Sequence, residues 1–143
     1  MQRYSLQKCL IVYSLMLESS YQSKIIKAIE AFGGVVVNGQ YSKAGEADLQ
    51  CGWPTERGVG QGEDYLVFYR GLIHVAIEVK TEKDYHRVMK CINPDYTLNG
   101  KLGLKKHEAL QMAKIRRNRE RGGLALVAYS FEQVKEYVDE SEN

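Results

Sequence analysis

Residues 74–80 read HVAIEVK. Side chains of a strand alternate between its two faces, so β-branched Val75, Ile77 and Val79 go to one face and His74, Ala76, Glu78 and Lys80 to the other. The apolar face fits a sheet packed on a core. The other face is the unusual one: a carboxylate and an ammonium two residues apart point the same way in the most strand-like segment of the chain.

Around this segment the pattern predicts a single α/β domain. Ile25, Ile26, Ile29 and Phe32 recur at helical spacing from Glu18 to Phe32, and Gly33-Gly34 is a helix stop. Glu18 and Gln22 share the stripe of Ile25 and Ile29, which turns a polar pair inward at the helix start. Val35–Val37 reads as a short strand, and Ala47–Cys51 as another that opens on Asp48. Gly52–Asp64, with Pro54, Gly58, Gly60 and Gly62, reads as loop. Tyr65–Tyr69 and Leu72–Lys80 read as an antiparallel hairpin around Arg70-Gly71. A connector with Asn93-Pro94 and Asn99-Gly100 follows, carrying a short helix near Tyr85–Met89. A long helix over Lys105–Arg121 is stopped by Gly122-Gly123, and Leu124–Tyr129 is a buried strand. Ser130, with Gln133 three residues on, caps a final helix whose apolar face is Val134 and Val138. The order is αβββαβα, without an internal repeat.

Length and composition narrow the class. With 143 residues, 44% of them hydrophobic, the chain suffices for one core and no second domain. A formal charge of +2 is no nucleic-acid signature, but Lys101–Arg121 is strongly basic while Glu132–Glu142 is mostly acidic. Cys9, Cys51 and Cys91 are odd in number and form no CxxC or Cys/His cluster, as expected of reduced thiols in a cytoplasmic protein. The apolar run CLIVYSLML follows Arg3 and Lys8, but it is too short to span a bilayer and no small-residue cleavage site follows it. Residues 1–15 are therefore expected to be an extension before a domain over 16–143.

Three features converge on one chemistry: Asp48 opening a strand, Glu78 and Lys80 on another, and the inward polar pair of the first helix. Paired strands lie about 4.8 Å apart and residues i and i+2 about 6.5–7 Å, so these groups can gather round one divalent ion. Oxygen ligands favour magnesium, with manganese as a substitute. A lysine beside such an ion makes sense when it points past it toward a water or a phosphate oxygen. Phosphodiester cleavage uses both.

These residues resemble the PD-(D/E)xK nuclease superfamily and, more narrowly, its small VRR-NUC branch, known from phage and bacterial proteins. The likeness rests on Glu18, on Gly45-Glu46-Ala47-Asp48 where the family has Gly-x-Pro-Asp, on Ile77-Glu78-Val79-Lys80 for its Glu-Val-Lys strand, and on Gln111, eleven residues before Gly122. Ala47 replaces the usual proline, the connector after Lys80 is longer, and a Gly-rich insertion follows Asp48. The resemblance implies a restriction-endonuclease-like αβββαβ core with a C-terminal helix, its mixed central sheet flanked by helices. It implies catalytic roles for Glu18, Asp48, Glu78, Lys80 and Gln111, with magnesium held by Asp48, Glu78 and the Val79 carbonyl, and Glu18 reaching it through water or holding a second ion. A different register puts His107 in place of Gln111; the two share a helix face.

The implied partner is DNA, in branched form such as a four-way junction, cut by a homodimer to leave 5′-phosphates; the implied location is the cytoplasm, the host's if the chain is phage-encoded. Lys105, Lys106, His107, Lys114, Arg117 and Arg57 are the candidate DNA contacts, and Trp53 is a further one. The alternatives are a restriction-like or end-processing nuclease on linear or flap DNA, and an inactive DNA-binding protein of the same fold. Plainer readings also exist: an ExK pair can sit on any solvated sheet face, and Arg116, Arg117, Arg119 and Arg121 suit the negative end of a helix dipole. Gly58-Val59-Gly60-Gln61-Gly62 precedes no helix, so no nucleotide cofactor is expected. No membrane partner is expected either.

Overall fold

The computed structural model describes residues 2–38, 47–54 and 72–141, with residues 2–16 and 38 described by their backbone alone. The elements in chain order are α1 (Gln2–Ala31), β1 (Val35–Asn38), β2 (Leu49–Pro54), β3 (Leu72–Val79), α2 (Glu82–Met89), α3 (Lys106–Glu120), β4 (Leu124–Ala128) and α4 (Phe131–Ser141). This is the αβββαβ core expected from the sequence, with a C-terminal helix and with the short helix expected in the connector present as α2.

Both long helices stop by the same device. After α1, the Gly33 amide donates to the Glu30 carbonyl at 3.1 Å and the Gly34 amide to Ile29 at 2.8 Å; after α3, Gly122 donates to Arg119 and Gly123 to Asn118, each at 3.0 Å. These are Schellman closures, and Gly33 and Gly122 occupy the left-handed position with φ of 102° and 86°. Gly34 is needed for space, since a Cβ there would meet the Gly52 carbonyl oxygen at 2.8 Å, whereas one on Gly123 would displace the Asn118 side chain. Each pair turns a helix directly into a strand, α1 into β1 and α3 into β4.

The four strands form one sheet in the order β1-β2-β3-β4. The β1–β2 and β2–β3 pairs are antiparallel and β3–β4 is parallel. The parallel pair requires a crossover, and α2 and α3 supply it. The alternation in HVAIEVK sorts the core as its pattern predicts. Val75, Ile77 and Val79 pack with Ile25, Ile29, Leu49, Trp53 and Val134, in the layer of α1 and α4. Ala76 packs on the other face with Val88, Met112, Ile115 and Val127, in the layer of α2 and α3. Ser130 and Gln133 cap α4 reciprocally, the Gln133 amide donating to Ser130 Oγ and the Ser130 amide to Gln133 Oε1.

The β4 edge carries no further strand among the described residues; side chains close it instead. The outward amides of Ala125, Val127 and Tyr129 donate to Tyr137 Oη, Tyr96 Oη and Gln133 Oε1, and Arg119 Nε donates to the Ala125 carbonyl. An edge satisfied in this way is a poor template for another strand. Tyr96 adopts a positive φ of 67°, and this conformation carries its ring into the core to reach Val127. Arg119 lies between the rings of Tyr96 and Tyr137, at 4.4 and 4.6 Å.

Several sequence expectations are corrected here. The first helix begins at Gln2 rather than Glu18, no glycine or proline interrupting that stretch. Gly52–Pro54 is strand rather than loop, because it continues the ladder opposite His74, Ile73 and Leu72. Trp53 cannot meet DNA: it is 1% exposed and stacks on Phe131 at 5.4 Å. Arg119 is a structural side chain rather than a solvated helix end. Residues Tyr65–Gly71, hence the first arm of the expected hairpin, lie outside the described residues. Among the described residues no helix is long and apolar enough to cross a membrane. Trp53→Ala, which empties the largest buried side chain against Phe131 and Phe32, is expected to cost about 3–5 kcal/mol, measured by urea unfolding followed by circular dichroism; a loss below about 1 kcal/mol would contradict this packing.

Candidate active site

At one end of β2 and β3 two carboxylates hold each other's main chain. The Asp48 amide donates to Glu78 Oε2 at 3.2 Å, and the Val79 amide donates to Asp48 Oδ2 at 3.1 Å. The antiparallel register places Leu49 opposite Ile77, so Asp48 and Glu78 follow as neighbours on the face opposite the α1 layer. Lys80 is fixed just beyond: its amide continues the parallel ladder to the Ala128 carbonyl at 3.1 Å. The next residue, Thr81, caps α2 through Oγ1, which accepts the Asp84 amide. Strand end and helix start thus leave Lys80 little backbone freedom.

Helix α3 supplies the wall over these side chains. Gln111 Nε2 donates to Glu78 Oε1 at 2.7 Å, and Lys80 Nζ donates to Gln111 Oε1 at 3.1 Å. One amide therefore bridges the acid and the lysine with its two ends. Lys80 Nζ also lies 3.8 Å from Glu78 Oε1 and 3.6 Å from Glu108 Oε2. Glu78, Lys80 and Glu108 are 1%, 6% and 2% exposed, so the charges act on one another with little screening by water.

Burial opposes ionisation of Glu78 and nearby Asp48 adds to the effect, so its pKa lies well above the carboxylate range, with Lys80 only partly offsetting. Burial also raises Asp48, against the pull of the Val79 amide. Glu18 is raised by burial and by Asp48, which places it within electrostatic reach of the pair from α1. Glu108 behaves oppositely. Burial pushes against its charge, but hydrogen bonds from Arg87 and the Lys105 amide, with Lys80 nearby, outweigh it and hold the carboxyl down at about 2.

Asp48, Glu78 and Glu18 set the hard oxygens of three carboxyls around a single lysine, while Glu108 stays ionised in the grip of Arg87. Burial and mutual repulsion favour the protonated carboxyls, and their oxygens are a donor set that suits magnesium or manganese. No three Asp, Glu, His or Cys side chains among the described residues come together closely enough to hold a metal unaided. Asp48 and Glu78 would supply two carboxylate ligands, with main-chain and water oxygens to complete the set.

The structure thus brings Asp48, Glu78, Lys80 and Gln111 into direct contact, with Glu18 nearby. Of the two register alternatives on α3, Gln111 faces the cluster, whereas His107 is exposed. Lys105, Lys106 and Arg117 are exposed and Lys114 is half-buried along the same helix. Arg57 and Gly45-Glu46 lie outside the described residues. Sequence reasoning missed Glu108 and Arg87. The available signal was the three-residue spacing between Glu108 and Gln111, which puts both on one helix face.

The chain matches no protein-family model and no curated protein. A solved structure described as a "VRR_NUC domain" is similar to it at 25% identity, covering 85% of this chain and 94% of that one, with a TM-score of 0.46.

Folded-state pKa values above the unfolded ones mean that Glu18, Asp48 and Glu78 favour folding fully below the ordinary carboxylate range, a contribution lost as pH rises through their raised values. In chelator, Tm is therefore expected to fall between about pH 5 and about pH 8. Glu78→Gln should flatten that fall and raise Tm at the upper end, as read by scanning calorimetry. A wild-type Tm that climbs over this interval contradicts the assigned shifts.

Proposed function

We propose that this chain is a divalent-metal-dependent DNA nuclease of the VRR-NUC type, hydrolysing phosphodiester bonds. The observation that carries the reading is the contact set at the β2–β3 end: two clasped, protonation-prone carboxylates with a buried lysine held beside them. A purely structural ion pair does not need two excess acids next to one ammonium, because each unpaired buried charge costs stability. A hydrolytic site does.

Magnesium, or manganese in its place, would be held by Asp48, Glu78 and the Val79 carbonyl, with Glu18 through water or at a second ion, and would supply an acidified water and charge neutralisation at the phosphate. Lys80 directs its ammonium at the attacking water and at a phosphate oxygen, where charge builds during in-line displacement. Gln111 holds Lys80 and Glu78 in register through the two ends of its amide. Lys105, Lys106, Lys114 and Arg117 carry positive charge along α3 away from the cluster, with the exposed His107 among them, and such a row binds backbone phosphates without reading sequence.

The finer proposal is a homodimer acting on branched DNA such as four-way junctions and leaving 5′-phosphates. Two sites related by a twofold suit two symmetric strands. The competing substrates, linear duplex and flap, are separated from it by cleavage rates on matched labelled DNAs. Lys80→Ala and Asp48→Asn are each expected to lower magnesium-dependent cleavage by about 10²–10³-fold while binding of the same DNA in chelator persists and weakens with added salt. Full cleavage by either variant would overturn the assignment.

A further inference from the structure

Lys80 is held from two sides, and only one of them belongs to the acid pair. Glu108 on α3 is almost wholly buried, yet it stays ionised in a fixed place. Arg87 of α2 grips it with a two-pronged contact, Nη1 to Oε1 at 2.8 Å and Nη2 to Oε2 at 2.7 Å, and the Lys105 amide donates to Oε1 at 2.8 Å. The same guanidinium donates to the Gly103 carbonyl at 2.6 Å, which ties the connector before α3 to this point. A planar fork on a carboxylate fixes orientation as well as distance. Glu108 is therefore a stationary negative charge built from three elements, and its Oε2 lies 3.6 Å from Lys80 Nζ.

The distances show what that charge does. Lys80 Nζ is 3.8 Å from Glu78 Oε1, beyond a hydrogen bond, and its short contact is with neutral Gln111 at 3.1 Å. Once Glu78 is ionised, as it would be with a cation bound, an ammonium this close in a buried setting would collapse onto it unless a second anion held it, and would displace the Gln111 amide that Glu78 Oε1 accepts. Glu108 Oε2, 3.6 Å from the same nitrogen, supplies the competing pull. The ammonium is thereby left between the two carboxylates, bonded to an amide and able to turn toward substrate.

We propose that Glu108, clamped by Arg87, is a positioning residue that draws the Lys80 ammonium away from Glu78 and holds it where it meets the scissile phosphate and its attacking water. This rests on the nuclease reading above. A tie that only joined α2 to α3 would not require Glu108 to lie within ion-pair distance of Lys80; the two functions are separated by asking whether the loss of Glu108 acts through that lysine.

The experiment measures steady-state cleavage with magnesium for wild type, Glu108→Gln, Glu108→Asp, Lys80→Met and the double variant Lys80→Met/Glu108→Gln. In parallel, the lysine ammonium signals of the metal-free protein are recorded by ¹⁵N NMR, with Lys80 identified by its disappearance in Lys80→Met. Glu108→Gln keeps an acceptor for the Lys105 amide, and Arg87→Lys serves as a second variant that keeps the charge while losing the fork. The expected result is a fall in kcat of about ten- to a hundredfold for Glu108→Gln with little change in KM, partial recovery in Glu108→Asp, and a smaller loss in Arg87→Lys. The double variant should be no slower than Lys80→Met, and the Lys80 signal should move in Glu108→Gln. A kcat within about twofold of wild type, an equal loss in the Lys80→Met background, or an unmoved Lys80 signal overturns the proposal. If the wild type shows no magnesium-dependent cleavage, the nuclease reading falls, whereas the metal-free spectra still decide whether Glu108 places the ammonium.

Discussion

The two reciprocal hydrogen bonds between Asp48 and the Glu78–Val79 strand are the constraint on which the rest of the structure turns. Each carboxylate accepts an amide from the other strand, so the ends of β2 and β3 are locked by the groups that make the site acidic. Buried carboxylates are tolerated only when hydrogen-bonded, and the main chain supplies those bonds here at no side-chain entropy cost. Because the register is fixed by Val75, Ile77 and Val79 on the opposite face, a slip of one residue would bury Glu78 in the apolar layer. The core and the acid pair therefore enforce the same alignment.

Helix α3 completes what the strands begin. Its inward face carries Glu108, Gln111, Met112 and Ile115, polar toward the β3 end and apolar farther along. Polar satisfaction there is complete: among the described residues no buried side-chain nitrogen or oxygen lacks a hydrogen-bond partner. The network sets three carboxyls with raised pKa values and the ionised Glu108 around Lys80, with Arg87 holding Glu108 in place. Rigidity at the wall and a surplus of carboxyls at the centre suit the preorganised hydrolytic site proposed for this chain.

Much of this was legible before any coordinates. The period-2 pattern of HVAIEVK predicted both faces of β3, the two Gly-Gly pairs marked the ends of α1 and α3, and Ser130 with Gln133 marked the start of α4. These are local signals with local causes. What escaped was set by distant partners. Gly52–Pro54 carries loop-forming residues but is held in the sheet by Leu72–His74, and Trp53 is claimed by aromatic packing with Phe32 and Phe131. Arg119 belongs to a run of arginines on a basic helix, and only its position between Tyr96 and Tyr137 distinguishes it from its neighbours. Glu108 is inconspicuous in the sequence, because an acid in the first turn of a helix has an ordinary explanation in the dipole. Its contact with Lys80 depends on how α3 lies over the sheet.

The account stands on Asp48 and Glu78 forming a cation site in front of Lys80. Diffraction from crystals of the protein soaked in manganese, recorded at the manganese absorption edge, tests this most directly. The predicted result is an anomalous peak bonded to carboxylate oxygens of both Asp48 and Glu78. Full manganese occupancy elsewhere on the molecule with nothing between these two side chains would contradict it.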